Sequence, residues 1–252
     1  MNILEIEHLT VSFDGFKALN DLNFAMAIGE LRTIIGPNGA GKTTFLDTIT
    51  GKVKPTKGQV RFKGKDISRF SEFQIARMGI GRKFQTPRVY TNLTVRENLE
   101  LASNRHKNLL GTLFRTPSVV EKRSVDELLA FINLAGKQTW KAGILSHGEK
   151  QWLEIGMLIA QSPDLLLLDE PVAGLTDEET EKTAMLLQAL AGEHSIIVIE
   201  HDMEFVRQIA QTVTVLHQGA VLCEGQMADI QTDRRVIEVY LGAQEEAHAD
   251  HQ

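Results

Sequence analysis

The sequence predicts an α/β fold built on a parallel sheet, opened by antiparallel strands and interrupted by an inserted helical block. Three stretches carry that prediction. Gly36-Pro37-Asn38-Gly39-Ala40-Gly41-Lys42-Thr43-Thr44 fills every fixed position of the pattern G-x-x-x-x-G-K-[ST], between a mostly apolar run, Leu31–Ile35, and a helical run, Lys42–Ile49. Leu165-Leu166-Leu167-Leu168 is a short apolar run closed by Asp169-Glu170, and Ile196-Ile197-Val198-Ile199 is closed by Glu200-His201-Asp202. Runs of this kind read as strands buried on both faces. In open α/β sheets, ligands collect at the C-terminal ends of such strands.

Taken in order, Ile3–Phe13 alternates as a strand, Asp14-Gly15 is a turn, and Ala18–Ile28 is a second strand ending at Gly29-Glu30. Leu31–Ile35 is then a buried strand, and Lys42–Ile49 a helix with Gly51 as its C-cap. Gln59–Phe62 is a short strand ended by Gly64. Ser71-x-x-Gln74 has the spacing of a capping box and should start a helix; Ile80–Gln85 is a short extended piece. From Thr94 to Leu134 the chain reads as mainly helical, with box spacing at Thr94/Glu97 and Ser118/Glu121 and an irregular connection over Arg105–Pro117. This block lies between two α/β portions, so residues 86–162 are read as a helical subdomain inserted in a domain of residues 1–242.

The α/β pattern resumes after Ser146. It gives a helix over His147–Ala160, a strand over Asp164–Leu168, and a helix over Asp177–Leu190 opened by Thr176-x-x-Glu179. A strand over Ser195–Ile199 and a helix over Asp202–Ala210 follow, then strands over Val213–Leu216 and Ala220–Cys223 and a final helix over Val236–Leu241. The polar end, residues 243–252, is expected to be disordered. No internal repeat is present.

Composition narrows the class. A chain of 252 residues with 42% hydrophobic content can bury a core in one large domain or a domain with a subdomain. The net charge of −6 argues against a nucleic-acid partner. The one cysteine, Cys223, cannot form an internal disulfide, which suits a reducing compartment. No apolar run approaches the roughly 20 residues that span a bilayer. The start, Met1-Asn2-Ile3-Leu4-Glu5, lacks the basic and apolar regions of a signal peptide. Work at a membrane would therefore go through a partner.

The residue types explain a chemistry. Glycines let the backbone wrap a polyphosphate closely, and the loop N–H groups with the helix N-terminus present positive charge to it. Lys42 would reach the β- and γ-phosphates and the Thr43 hydroxyl would ligate Mg2+. Asp169 would hold the same Mg2+, and Glu170 would polarise the water that attacks the γ-phosphate. A solvated strand end would equally explain two carboxylates; the phosphate loop in the same chain favours the functional reading. His201 stands at the end of a second buried strand, on the same sheet edge if the sheet is parallel, where it could hold the water and the γ-phosphate or be a structural histidine. Asp202 is read as the N-cap of the next helix. Leu145-Ser146-His147-Gly148-Glu149-Lys150-Gln151 starts a helix whose capping box alone could account for Ser146 and Glu149.

The ordered set of phosphate loop, Gln85, LSHGEKQ, LLLLDEP, AGLTD and IEHD resembles the ATP-binding subunit of ABC transporters, over nearly the whole chain. The resemblance implies a P-loop ATPase fold that binds and hydrolyses ATP with Mg2+. It implies that Phe13 stacks on adenine and that residues 36–44 hold the phosphates. Gln85 would act as a catalytic and metal-contacting glutamine linked to the membrane subunit. It further implies that Glu170 and His201 serve as catalytic base and switch. Ser146, His147, Gly148 and Glu149 would form the signature that contacts the γ-phosphate of a second subunit, and Gly174–Asp177 the loop between subunits. The usual signature is LSGGQ; His147 and Glu149 depart from it, and a carboxylate there could repel a triphosphate unless the capping box directs it away.

The resemblance also implies partners: ATP, a second ATPase subunit, more readily a different one than a copy, and transmembrane permease subunits, at the cytoplasmic face of the cell membrane. GPNGAGKTT, DEPVAGL, IEHDM and VIEVYLG look like importers of branched-chain amino acids and of urea or short amides, and LSHGEKQWLEIGM tilts toward urea. Alternatives are the ATPase of a lipid or lipopolysaccharide exporter and a soluble, non-transport ABC ATPase. A GTPase would need an N-K-x-D segment, which is absent.

Overall fold

Two sheets share the core. The computed structural model describes residues 1–83, 88–104 and 123–239. In the first sheet, β1 (Asn2–Phe13) and β2 (Phe16–Ala27) form a hairpin whose turn residues, Asp14 and Gly15, both have positive φ, at 48° and 93°. A two-residue turn of that hand matches the right-handed twist of the strands it joins. With β4 (Lys57–Phe62) and β5 (Lys65–Asp66) the order is β2-β1-β4-β5, antiparallel throughout.

The second sheet has the order β10-β9-β3-β8-β7-β6. Strands β3 (Leu31–Ile35), β6 (Ile80–Lys83), β7 (Leu165–Asp169), β8 (Ser195–Ile199) and β9 (Thr212–His217) are parallel, and β10 (Ala220–Gly225) returns antiparallel to β9. Every residue of β3, β7 and β8 is buried, including Arg32 and Thr33 of β3, Asp169 and Ser195, as central strands of a covered parallel sheet require. Their alternation divides the core. Leu165, Leu167, Ile197 and Ile199 pack with the antiparallel sheet and α1 (Lys42–Ile49). Leu166, Leu168, Ile196 and Val198 pack on the other face with α3 (Val95–Asn104), α4 (Val125–Phe131), α5 (His147–Ile159) and α6 (Asp177–Leu190).

Phe45 shows how the first half is held. It is fully buried on α1, with its ring edge-on to Phe24 of β2 at 5.2 Å. Burial of such a ring stabilises by about 3 kcal/mol, so the helix that follows the glycine loop is anchored to the antiparallel sheet. The remaining helices are α2 (Glu72–Arg77), α7 (Met203–Ile209) and α8 (Met227–Thr232). No helix among the described residues is long and apolar enough to cross a membrane.

Capping boxes form at Ser71/Gln74, Thr94/Glu97, Ser146/Glu149 and Thr176/Glu179, as their spacing predicted. A fifth, Ser124/Glu127, opens α4 and was not singled out in the sequence. Several bounds differ from expectation. β2 starts at Phe16 and stops at Ala27, leaving Ile28 exposed, because pairing with β1 continues to the turn. β4 starts at Lys57, and α8 and β5 were not foreseen. Residues 234–239 are helical where a helix over Val236–Leu241 was expected. Gln85, the connection over Arg105–Pro117, the Ser118/Glu121 spacing and residues 243–252 lie outside the described residues.

Candidate functional site

The loop between β3 and α1 is closed against its neighbours. A Cβ on Gly36 would lie 2.3 Å from the Leu216 carbonyl oxygen of β9. One on Gly41, whose φ is 101°, would lie 2.7 Å from the Ala18 carbonyl oxygen of β2. Only glycine permits both approaches. Ala40 is buried; its N–H donates to the Pro37 carbonyl at 3.2 Å, and its carbonyl accepts from Gly219 N–H at 3.1 Å. Asn38, Gly39 and Thr43 remain exposed, and Thr44 is half-buried in the first turn of α1.

Lys42 folds back on this loop, donating from Nζ to the carbonyls of Gly36 at 2.5 Å and Pro37 at 3.0 Å. Burial pushes its ammonium below the usual lysine range, while Glu170 and Asp169 pull it up. Those two carboxylates are thus electrostatic neighbours of the loop lysine. Phe13 stands at the end of the β1–β2 hairpin, half exposed, paired across the turn with the more exposed Phe16.

The ends of β7 and β8 supply the acids. Asp169 is buried, and Arg82 of β6 donates from Nη2 to its Oδ2 at 3.1 Å. The same guanidinium pairs with Asp47 of α1, which also pairs with Lys52 at 2.9 Å. Burial raises the Asp169 carboxyl above its usual range and Arg82 opposes the rise. Glu170 has φ of 46°, a left-handed conformation that a residue with a Cβ rarely adopts, and its N–H donates to the Ile199 carbonyl at 3.0 Å. His201 follows β8, two-thirds exposed, with Nδ1 3.6 Å from Glu170 Oε1. Lys42, Asp169, Glu170 and His201 therefore gather at one edge of the sheet.

Glu200, to which the sequence assigned no role, holds two backbone segments together. Its carboxylate is buried and accepts from the N–H groups of Val172 at 3.2 Å and His201 at 3.1 Å. It ties the chain after Glu170 to the chain after β8. Burial raises its pKa, opposed by those hydrogen bonds. Asp202 caps α7, accepting from Glu204 and Phe205 N–H.

Ser146 caps α5. Its Oγ accepts from Glu149 N–H at 3.1 Å and lies 3.2 Å from Glu179 Oε1, to which it donates. Glu149 accepts from Ser146 N–H at 3.1 Å and pairs with Lys137, so its carboxylate is directed to the lysine. Gly148 packs against the Glu179 carboxylate, and His147 Nε2 is 3.2 Å from the Ala173 carbonyl oxygen. The segment is thereby fastened to the Gly174–Asp177 loop and α6. Among the described residues no hydrogen bond or ion pair joins it to the loop of residues 36–44.

The oxygen donors of Thr43 and Asp169 suit a hard cation such as Mg2+. Among the described residues no three His, Cys, Asp or Glu side chains gather into a metal cage.

Residues 19–173 match the family described as ABC transporter, and residues 220–246 match one described as branched-chain amino acid ATP-binding cassette transporter. The chain is 38% identical over 251 residues to the high-affinity branched-chain amino acid transport ATP-binding protein BraF of Pseudomonas aeruginosa, covering 95% of this chain and 98% of that protein. Its structure is similar to the ADP conformation of MJ1267, an ATP-binding cassette of an ABC transporter, with a TM-score of 0.82, 31% identity, and 96% and 99% of the two chains covered. It also resembles the dimeric post-hydrolysis state of the ATP-binding cassette MJ0796 bound to ADP and Pi, at TM-score 0.71 and 25% identity over 89% of this chain and 98% of that one.

Proposed function

The chain belongs to the ABC transporter family as an ATP-hydrolysing ATP-binding subunit, and from that premise we propose that it drives a membrane importer of branched-chain amino acids. The observation that carries the site assignment is the convergence of Lys42, Asp169, Glu170 and His201 on one sheet edge. ATP would lie with its phosphates against residues 36–44 and its base against Phe13. Lys42 would leave the Gly36 and Pro37 carbonyls for the β- and γ-phosphate oxygens. Thr43 and Asp169 would hold Mg2+, which offsets phosphate charge when bound. Glu170 would take a proton from the water attacking the γ-phosphorus as the bond to ADP breaks, and His201 would hold that water and the γ-phosphate. Gln85 would contact the metal from the segment that meets the permease.

The signature is fastened to its own α6, so a two-fold pair would bring Ser146 and Gly148 of one subunit onto the ATP of the other. The dimeric MJ0796 cassette supports pairing of two such subunits. Glu149, held by Lys137 and the capping box, would not face the triphosphate. Residues 86–162 would be the helical subdomain that receives the permease, at the cytoplasmic face of the membrane. The second ATPase subunit is read as a different chain.

Glu170→Gln tests the mechanism. It should bind ATP, lose nearly all phosphate release, and run as a dimer on gel filtration with ATP. Wild-type turnover would remove Glu170 as the base. The cargo is tested by purifying the chain with its permease subunits into vesicles. ATP-dependent uptake of leucine supports the amino-acid reading that the relatives favour. Uptake of urea alone would favour the tilt read from LSHGEKQWLEIGM.

A further inference from the structure

Two consecutive cations end β6 and face opposite ways. Arg82 lies in register with Leu167 and turns to the α1 face, where it meets Asp47 and Asp169. Lys83 lies in register with Leu168, which is itself opposite Val198, and both of those pack on the α5 face. Its side chain is completely buried. Burying an ammonium costs several kcal/mol, and an apolar side chain of the same length would fill the space without that penalty. Packing alone does not explain the charge.

The carboxylates around it do. Glu154 acts on Lys83 most strongly, followed by Asp169, Glu200 and Glu170, so the ammonium faces acids from α5, from the end of β7 and from the residue after β8. Glu154 lies on α5, the helix capped by Ser146, and is 6% exposed. Its Oε1 accepts from Arg88 N–H at 3.2 Å, and its Oε2 is buried without a hydrogen-bond partner among the described residues. Lys83 is the strongest attraction that its charge meets against burial. Glu200, continuing the Ile196–Val198 face of β8, grips the N–H groups of Val172 and His201.

We propose that Lys83 is a positioning residue for ATP hydrolysis: its buried ammonium is the shared counter-charge of Glu154 and Glu200, and so links the helix that begins at Ser146 to the backbone that carries Glu170 and His201. Without it Glu200 loses one of the positive groups that offset its buried charge, His201 being another, and loosens its hold on Val172 and His201. With it, a displacement of α5 changes the field that holds the two residues nearest the attacking water. The inference rests on the ATPase reading above.

The test uses the full chain with its permease subunits and compares Lys83→Met, Glu154→Gln and the double variant. The double variant removes one charge of each sign and should melt within about 5 °C of wild type. Its kcat should nevertheless stay down by about tenfold with the KM for ATP changed less than about twofold, since Glu200 still lacks the Lys83 charge. A purely structural lysine would give the opposite result, with kcat restored alongside folding, and that outcome overturns the proposal. Glu154→Gln keeps Lys83 and side-chain shape and should lower kcat by about threefold at unchanged nucleotide affinity. Wild-type kcat in that variant overturns the link even if neither Lys83 variant folds. An inactive wild-type complex would instead defeat the ATPase reading, so the two failures are distinguishable.

Discussion

Gly148→Ala separates the fold of the signature segment from its function. A Cβ at Gly148 would lie 2.4 Å from Glu179 Oε1, 2.5 Å from its Cδ and 2.9 Å from Oε2. The obstacle is the tip of a flexible side chain, so the carboxylate can swing out while the backbone stays. In doing so it gives up the Ser146 hydroxyl at 3.2 Å and the Thr176 N–H at 3.2 Å. Two such hydrogen bonds together contribute about 1–3 kcal/mol. Alanine in place of glycine in a helix returns up to about 1 kcal/mol. The net loss should be about 2 kcal/mol or less, a fall in melting temperature of a few degrees for a chain of this size. The methyl group would nonetheless stand beside Ser146, where the partner's γ-phosphate is to lie. The variant made in the Glu170→Gln background should therefore fail to dimerise with ATP on gel filtration, with ATP binding retained. A loss above about 4 kcal/mol in urea denaturation would refute the flexible-tip reasoning. Undiminished dimerisation would refute the assignment of the signature.

Three further outcomes are expected. Lys42→Ala should weaken ATP binding by calorimetry, because the ammonium now parked on the Gly36 and Pro37 carbonyls is the one placed to reach phosphate. Arg82→Met should destabilise the chain by about 3–5 kcal/mol in urea, since it leaves the buried Asp169 without its guanidinium and Asp47 with Lys52 alone. Burial raises the Glu154 carboxyl from 4.5 to about 7, so between those values the folded state binds the extra proton and stability falls as pH rises. Across that window the loss from this group amounts to about 3 kcal/mol, fully felt at pH 8. Glu154→Gln should abolish that component, flattening the fall in stability between pH 4.5 and pH 8; an unchanged fall across that window would remove the basis of the shift.

What could be read from the sequence was local. β3, α1, α6 and β8 have the bounds their residues predicted, because an apolar run, a glycine loop or a capping box declares itself within a few positions. α8 escaped because it spans six residues and Gln226 makes no side-chain cap. Glu149 could not be resolved from its neighbours: the ion that directs it away, Lys137, lies twelve residues earlier on a separate short helical turn.

Arg82-Lys83 shows the limit most clearly. As sequence it is a pair of basic residues at the end of a short extended piece, and the plain expectation is a solvated pair. Only strand order decides otherwise. Pairing β6 to β7 in register buries Lys83 and covers the Arg82 side chain, and the two-residue period of a strand then sends them to opposite faces. One meets the acids beside the nucleotide loop and the other those beside the signature helix. A register slip of a single residue would exchange the two faces, bringing Lys83 to the side of Asp47 and Arg82 to the side of Glu154 and Glu200. Arg is always charged and forks to two acceptors, which suits the Asp47–Asp169 bridge it now makes; Lys is a compact point charge, which suits a closed cavity among acids. The choice of cation at each position is therefore itself evidence for the register, and the exchanged variant Arg82→Lys/Lys83→Arg should fold less stably than wild type although its composition is unchanged.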